Sequence, residues 1–231
     1  MHLHLPKPPH GWREFLSEVA VIVVGISIAI GAEQTVEWFH HRSEVNEAIA
    51  SLRVESNENL GLAASSIASL QESVNGIDAQ IAVLGKCQSS PAPGKLAIVR
   101  GATYVVPVNS AWLGIRDSAL LPLMPKDVVS NYARLGSNRT SLVSELGDLR
   151  HAQQDAATAV DLLRHGIWDR QACTDAARQL LHLRRIEVGL WFSYGVNRAA
   201  TEQVLKGKPL TVGYLREVVR KLATSRPPGW N

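Results

Sequence analysis

From Leu60 to Leu84 the apolar residues return in alternating steps of three and four: Leu60, Ala63, Ile67, Leu70, Val74, Ile77, Ile81 and Leu84. A strict heptad repeat of this kind lays one apolar stripe along a long helix. Val45, Ile49 and Leu52 keep the same spacing upstream. Between Leu52 and Leu60 the seam needs two consecutive steps of four through Ser56, a stutter that unwinds a supercoil locally without ending the helix. Residues 86–94 stop it, because Pro91, Pro93 and Gly94 cannot continue the backbone ladder.

A second stripe carries Leu142, Leu146, Leu149, Ala156, Val160 and Leu163, with Gln153 at its one polar seam position. A helix starting near Lys126 after Pro125 and ending at Gly166 is about 60 Å long, matching the span from Val45 to Leu84. The two favour a long antiparallel hairpin that needs further helices to cover its stripes. Asp169 reads as the N-cap of a third helix bearing Ala172, Ala176, Leu180, Leu183 and Ile186, whose continuation Gly189 and Gly195 weaken. Thr211 caps a last short helix with Val212, Leu215, Val218, Val219 and Leu222.

Two segments fall outside this pattern. Residues 95–108 hold β-branched clusters around Gly101 and Pro107, which suit a short β-hairpin insertion or an extended lid. After them Trp112, Ile115, Leu120, Leu121 and Leu123 are spaced for a short helix and a tight apolar turn. The expected fold class is therefore all-α, an N-terminal transmembrane helix continuing into a long antiparallel helical bundle. Its parts are a tail over 1–11, the membrane helix over 12–39, the bundle over 40–226 and a tail over 227–231.

The membrane assignment rests on the uncharged run from Val19 to Ala32, bounded by Glu18 and Glu33. Fourteen residues of helix reach only about 21 Å against a hydrocarbon core of about 30 Å. Phe15 and Leu16 before the run, and Val36, Trp38 and Phe39 after it, extend its apolar character. Trp12 and Trp38 stand about 39 Å apart along a helix, which suits aromatic residues at the two headgroup levels. A cleaved signal peptide is the competing reading, since Lys7 and Arg13 precede the run and Ala29-Ile30-Gly31 loosely fits a cleavage site. Against it, Glu14 and Glu18 interrupt the positive region and helix-compatible sequence continues past the site. Basic residues tie across the run, Lys7 and Arg13 against Arg42 and Arg53, so orientation is weakly encoded.

Composition agrees with a membrane setting. Of 231 residues 45% are hydrophobic and only 19% charged, fewer than in most soluble domains. The net charge of +3 is too small for a nucleic-acid surface. Cys87 and Cys173 lack metal or redox spacing; they suit either one disulfide in an oxidising compartment or two buried thiols. The expected location is a bacterial inner membrane, crossed once, with most of the chain on the periplasmic side.

Candidate chemistry is sparse. Gly25, Ala29 and Ala32 share one face of the apolar helix and would let a second helix approach closely. Arg216, Arg220 and Lys221 make the C-terminal helix locally basic, suited to anionic lipid or an acidic partner. His40 and His41 point about 100° apart on a helix, and no histidine pair has ligand spacing, so no metal is expected. Glu33 and Glu37 form a like-charge pair one turn apart, which a cation, Arg42 or a hydrated membrane edge would offset. No GxSxG, Walker A, HExxH or GxGxxG pattern occurs, so no catalytic residue and no cofactor is assigned. Asn138-Arg139-Thr140 matches a glycosylation sequon by chance.

Glu18, Gly25, Ile28, Ala29, Glu33, Glu37 and Trp38, with the stretch from Ala111-Trp112 to Leu135, resemble poorly characterised single-pass bacterial membrane proteins. In these an E-(apolar)-G-(apolar)-IA segment leads into a helical domain. The resemblance covers about 50 residues and implies an envelope setting with no known activity. Three functions follow as expectations. The first is a membrane-anchored helical protein that mediates association, as a homo-oligomer or as an accessory subunit of a membrane protein. The second is an extracytoplasmic ligand-sensing bundle, against which no second span or signalling module is read after residue 226. The third is a membrane-tethered enzyme, to be recognised by a pocket with converging titratable groups.

Overall fold

The computed structural model describes residues 11–87, 96–97, 99, 101–166, 168–225, 227 and 230. All regular structure among them is helical: α1 (Trp12–Gly85), α2 (Ser110–Arg116), a single 3-10 turn (Leu121–Leu123), α3 (Lys126–Arg164), α4 (Arg170–Leu205) and α5 (Val212–Thr224). The chain divides into two compact units, residues 1–48 and 49–231, both of which include part of α1.

In the first unit α1 is uncovered over residues 12–43. Val21, Ile22, Val23, Val24, Ile26, Ile28 and Ile30 are all exposed. This stretch is long and apolar enough to cross a membrane, and none of it is buried. Its hydroxyls satisfy themselves on the helix's own backbone, Ser27 donating to the Val23 carbonyl at 2.8 Å and Thr35 to that of Gly31 at 2.7 Å. That leaves no side-chain hydroxyl proton seeking water in a hydrocarbon layer.

In the second unit the core joins the inner faces of α1, α3 and α4. Leu70, Val74, Ile77 and Leu84 of α1 pack in one cluster with Leu142, Leu146, Leu149, Val160 and Leu163 of α3 and Leu180, Leu183, Leu190 and Tyr194 of α4. Each such side chain contributes roughly 1.5–3 kcal/mol on leaving water. The closest helix pair is α3 with α4, joined by a short turn, and not the hairpin of α1 with α3 that matched lengths suggest. Residues 101–109 form an extended segment before α2.

The stripe on α1 follows the periodicity at Val45, Leu52, Ser56, Ala63, Leu70, Val74, Ile77 and Leu84, all buried, and departs from it elsewhere. Asn59, Ser66 and Gln80 are buried, while Leu60, Ile67 and Ile81 are only half-buried. Asn59 and Ser66 are turned inward because they hold backbone of the extended segment. On α3, Ala152 takes the buried seam position and Gln153 lies beside it, against Gly101.

α4 runs through Gly189 and Gly195 without a break. Gly195 has a packing reason: a Cβ there would lie 3.0 Å from both methyl carbons of Leu222 on α5. Asp169 caps α4 by accepting from the Ala172 amide at 2.7 Å, and Thr211 caps α5 by accepting from Tyr214 at 3.1 Å. α4 ends in a Schellman arrangement. Gly207 takes φ +68°, its amide donates to the Val204 carbonyl, and that of Lys208 donates to Gln203. Trp230, in the tail over 227–231, is 1% exposed and meets the Trp191 ring edge-on at 5.4 Å.

Candidate functional site

The segment 95–108, expected as a hairpin or a lid, forms no strand among its described residues; these are 96–97, 99 and 101–108, and with Asn109 the last of them run up to α2. It is an extended strap held by the side chains of helices. The Val108 amide donates to Asn59 Oδ1 while Asn59 Nδ2 donates to the Val108 carbonyl, both at 2.8 Å. The Val105 amide donates to Ser66 Oγ at 3.2 Å and that of Thr103 to Ser69 Oγ at 2.8 Å. Tyr194 of α4 donates its hydroxyl to the Val105 carbonyl at 2.8 Å. Residues 59, 66 and 69 fall within three turns of one helix, so α1 does for this strap what a neighbouring strand does in a sheet.

The strap is anchored at both ends by buried acids. At its C-terminal end Glu55 accepts from the Ala111 amide at 2.7 Å and from Ser110 Oγ at 3.0 Å. Arg139 of α3 donates to Glu55 and to the Val108 carbonyl, each at 3.1 Å. Burial pushes the Arg139 pKa down, and the facing Glu55 carboxylate opposes that. Trp112 follows, its ring seated on Gly136, where a Cβ would lie 2.7 Å from the indole. Glu187 of α4 marks the N-terminal end, accepting from Ser73 Oγ at 3.0 Å and from the Ala102 amide at 3.5 Å. Its Oε2 is buried without a partner among the described residues, and burial raises its pKa to about 7, the hydrogen bonds opposing. Gly101 lies so close to Gln153 that any Cβ would overlap the amide.

A partly open cavity of about 660 Å³ lies between α1 and the start of the strap. Ile77, Val83, Val99 and Ala102 give it apolar walls; Ser69, Glu72, Ser73, Gln80 and Thr103 give it polar ones. The volume is that of small-molecule sites in general.

None of these groups was given a site role from the sequence, where Gly101, Trp112, Arg139 and Gln153 were named only for their place in the pattern. A signal existed: the stripe Leu180, Leu183, Leu190, Tyr194 passes through Glu187, and Leu135, Leu142, Leu146 passes through Arg139. A charge on an otherwise apolar stripe marks a buried polar partner.

The residues that were singled out lie elsewhere. Gly25, Ala29 and Ala32 are exposed, and a Cβ on Gly25 meets nothing within 4 Å. Trp12 is exposed beside Phe15, and Trp38 stacks under the Arg42 guanidinium at 5.2 Å, which commits that cation to the ring. On α5, Arg220 and Lys221 both face Glu217, at 2.8 and 3.7 Å, so part of their charge is neutralised locally. Arg216 is exposed. Cys87 and Cys173 form a disulfide that ties the end of α1 to the first turn of α4, with Cα atoms 6.4 Å apart. The Asn138 Nδ2 is buried, which removes the sequon as an acceptor. Among the described residues no three His, Cys, Asp or Glu side chains converge as metal ligands.

No protein-family model, no curated protein and no solved structure matches this chain.

Proposed function

We propose that this chain is a single-pass protein of a bacterial inner membrane that displays its helical unit on the periplasmic side and acts by association. It does so as a homo-oligomer or as an accessory subunit of another membrane protein. The observation that carries this reading is one chain combining a wholly uncovered apolar helix with a disulfide in its helical unit. The helix calls for lipid, and the disulfide calls for an oxidising compartment. The resemblance of residues 18–38 to envelope proteins points the same way.

Gly25, Ala29 and Ala32 would form the face through which membrane helices meet. Arg216, with Arg220 and Lys221, would meet anionic headgroups, an attraction that salt should weaken. The test is fractionation followed by crosslinking in native membranes. The chain should sediment with membranes and resist carbonate extraction, and a thiol introduced on α5 should react with a membrane-impermeant reagent from the periplasmic side. Crosslinks between copies identify a homo-oligomer; a stoichiometric foreign chain identifies an accessory subunit. Recovery in the detergent-free supernatant ends the proposal.

A further inference from the structure

We infer that the outer edge of the strap, at Tyr104 and Val106, pairs antiparallel with the same edge of a second copy of this chain. The pairing rests on the reading of the chain as a membrane-anchored homo-oligomer, and it names where the helical units of two copies meet.

The hydrogen bonds of the strap leave one edge free. The amides of Thr103 and Val105 donate to Ser69 and Ser66, and the Val105 carbonyl accepts from Tyr194, so these groups face α1 and α4. In extended backbone the N–H and C=O groups of alternate residues point to opposite edges. Those of Tyr104 and Val106 therefore point away from the helices, and among the described residues none of the four has a hydrogen-bond partner. Val105 and Val106, whose side chains leave on opposite faces, are both exposed, so both faces of the strap are open there. A free edge of extended backbone is a template for another extended segment.

The length of the edge selects the occupant. Pro107 has no amide, and the Val108 amide and carbonyl are held by Asn59; on the other side the Ala102 amide is held by Glu187. Two residues remain, placed symmetrically about Val105. A two-fold axis there sets Tyr104 against Val106 of the partner subunit, and Val106 against Tyr104 of the partner subunit. Each pair exchanges two bonds, and the four bonds together use every free group on both edges. A longer foreign strand would find no further free amide between Ala102 and Val108. Residues 101–108 carry no charge, so two copies meet without repulsion, and β-branched valines suit cross-strand contact. Four bonds are too few to join two proteins in free solution, whereas anchoring in one bilayer raises the effective concentration of each copy for the other.

Val105→Cys, on the axis, puts two thiols in a non-hydrogen-bonded pair with Cα atoms about 4.5 Å apart, within reach of a disulfide. The full chain in native membranes is oxidised with copper phenanthroline and resolved on non-reducing gels, beside Val143→Cys, an exposed position on α3. The thiol at 105 should give at least about tenfold more dimer than that at 143. Adding Val106→Pro removes an amide with no partner in the chain, at a position that Pro107 already holds extended. Dimer through 105 should then fall about tenfold with an unchanged thermal melt. Equal dimer at 105 and 143, or undiminished dimer in the Val106→Pro chain, would overturn the inference. Dimer through Gly25→Cys without dimer at 105 overturns the strap pairing and leaves the membrane reading standing. Recovery in the detergent-free supernatant ends the membrane reading, and the thiol at 105 is scored there by the same criterion.

Discussion

Arg139 Nη1 lies 3.1 Å from Glu55 Oε1, and the two side chains are 1% and 7% exposed, so α1 and α3 are joined by an ion pair almost wholly out of water. Among the described residues the Arg139 Nε and Nη2 find no partner, so the pair depends on Nη1, which reaches Glu55, the Val108 carbonyl and Asn109 Oδ1.

Removing one member strands the other. Glu55→Ala should cost about 3–5 kcal/mol, because a buried guanidinium loses its counter-charge and the Ala111 amide loses its acceptor. Replacing both residues with methionine should recover much of that loss. Urea unfolding of the two variants checks this; equal losses in the single and double variants would show that charge burial is not the cause.

Glu187 makes stability depend on pH. Its folded pKa, about 7, lies above the ordinary 4.5, so the native chain holds a proton that the unfolded chain has released. Stability should therefore be highest below about pH 4.5, as far as this group is concerned, and fall between there and 7, by roughly 3 kcal/mol in all. Glu187→Gln should flatten that fall and be the more stable form at pH 8. Melting curves from pH 5 to 8 decide it, and a fall unchanged in the variant would assign the dependence elsewhere.

Two glycines on one helix should respond with opposite sign. Gly136→Ala drives a methyl into the Trp112 indole and should destabilise by about 1–3 kcal/mol. Gly147→Ala meets open space on exposed α3 and should stabilise by up to about 1 kcal/mol. Comparison of denaturation midpoints tests the pair.

The disulfide closes a sequence separation of 86 residues. Cys173→Ser should lower stability by about 2–5 kcal/mol, and a reducing agent should bring the parent chain to the same value. A parent chain indifferent to reductant would mean the bond is not formed in solution.

Gly25→Leu leaves the chain's own packing untouched, since nothing lies within 4 Å of the added carbon. Loss of crosslinking between copies in that variant would therefore report contact between chains. Persistence of the crosslink would move the association away from Gly25, Ala29 and Ala32.

Helix placement was legible because apolar periodicity and caps are local signals. Lys126, Asp169 and Thr211 stand at or beside the starts of α3, α4 and α5 as the sequence indicates. What was not legible arises between distant segments. Leu60 and Ile67 fit the heptad as well as any residue, yet Asn59 and Ser66 are the buried ones, because a strap some 40 residues away needs hydrogen-bond partners. Gly195 reads as a helix weakener until Leu222 is seen against it. The cavity escaped for the same reason: its walls come from α1 and from Ala97, Val99 and residues 101–103, and neither half is distinctive alone.

The strap is gripped by its amides and carbonyls at 102, 103, 105 and 108, with few demands on its side chains. Its lettering can therefore drift, whereas its residue count cannot. One inserted residue at 104 would displace every downstream amide from its acceptor at once. Homologues, wherever they are found, should vary freely here in identity and hardly at all in spacing.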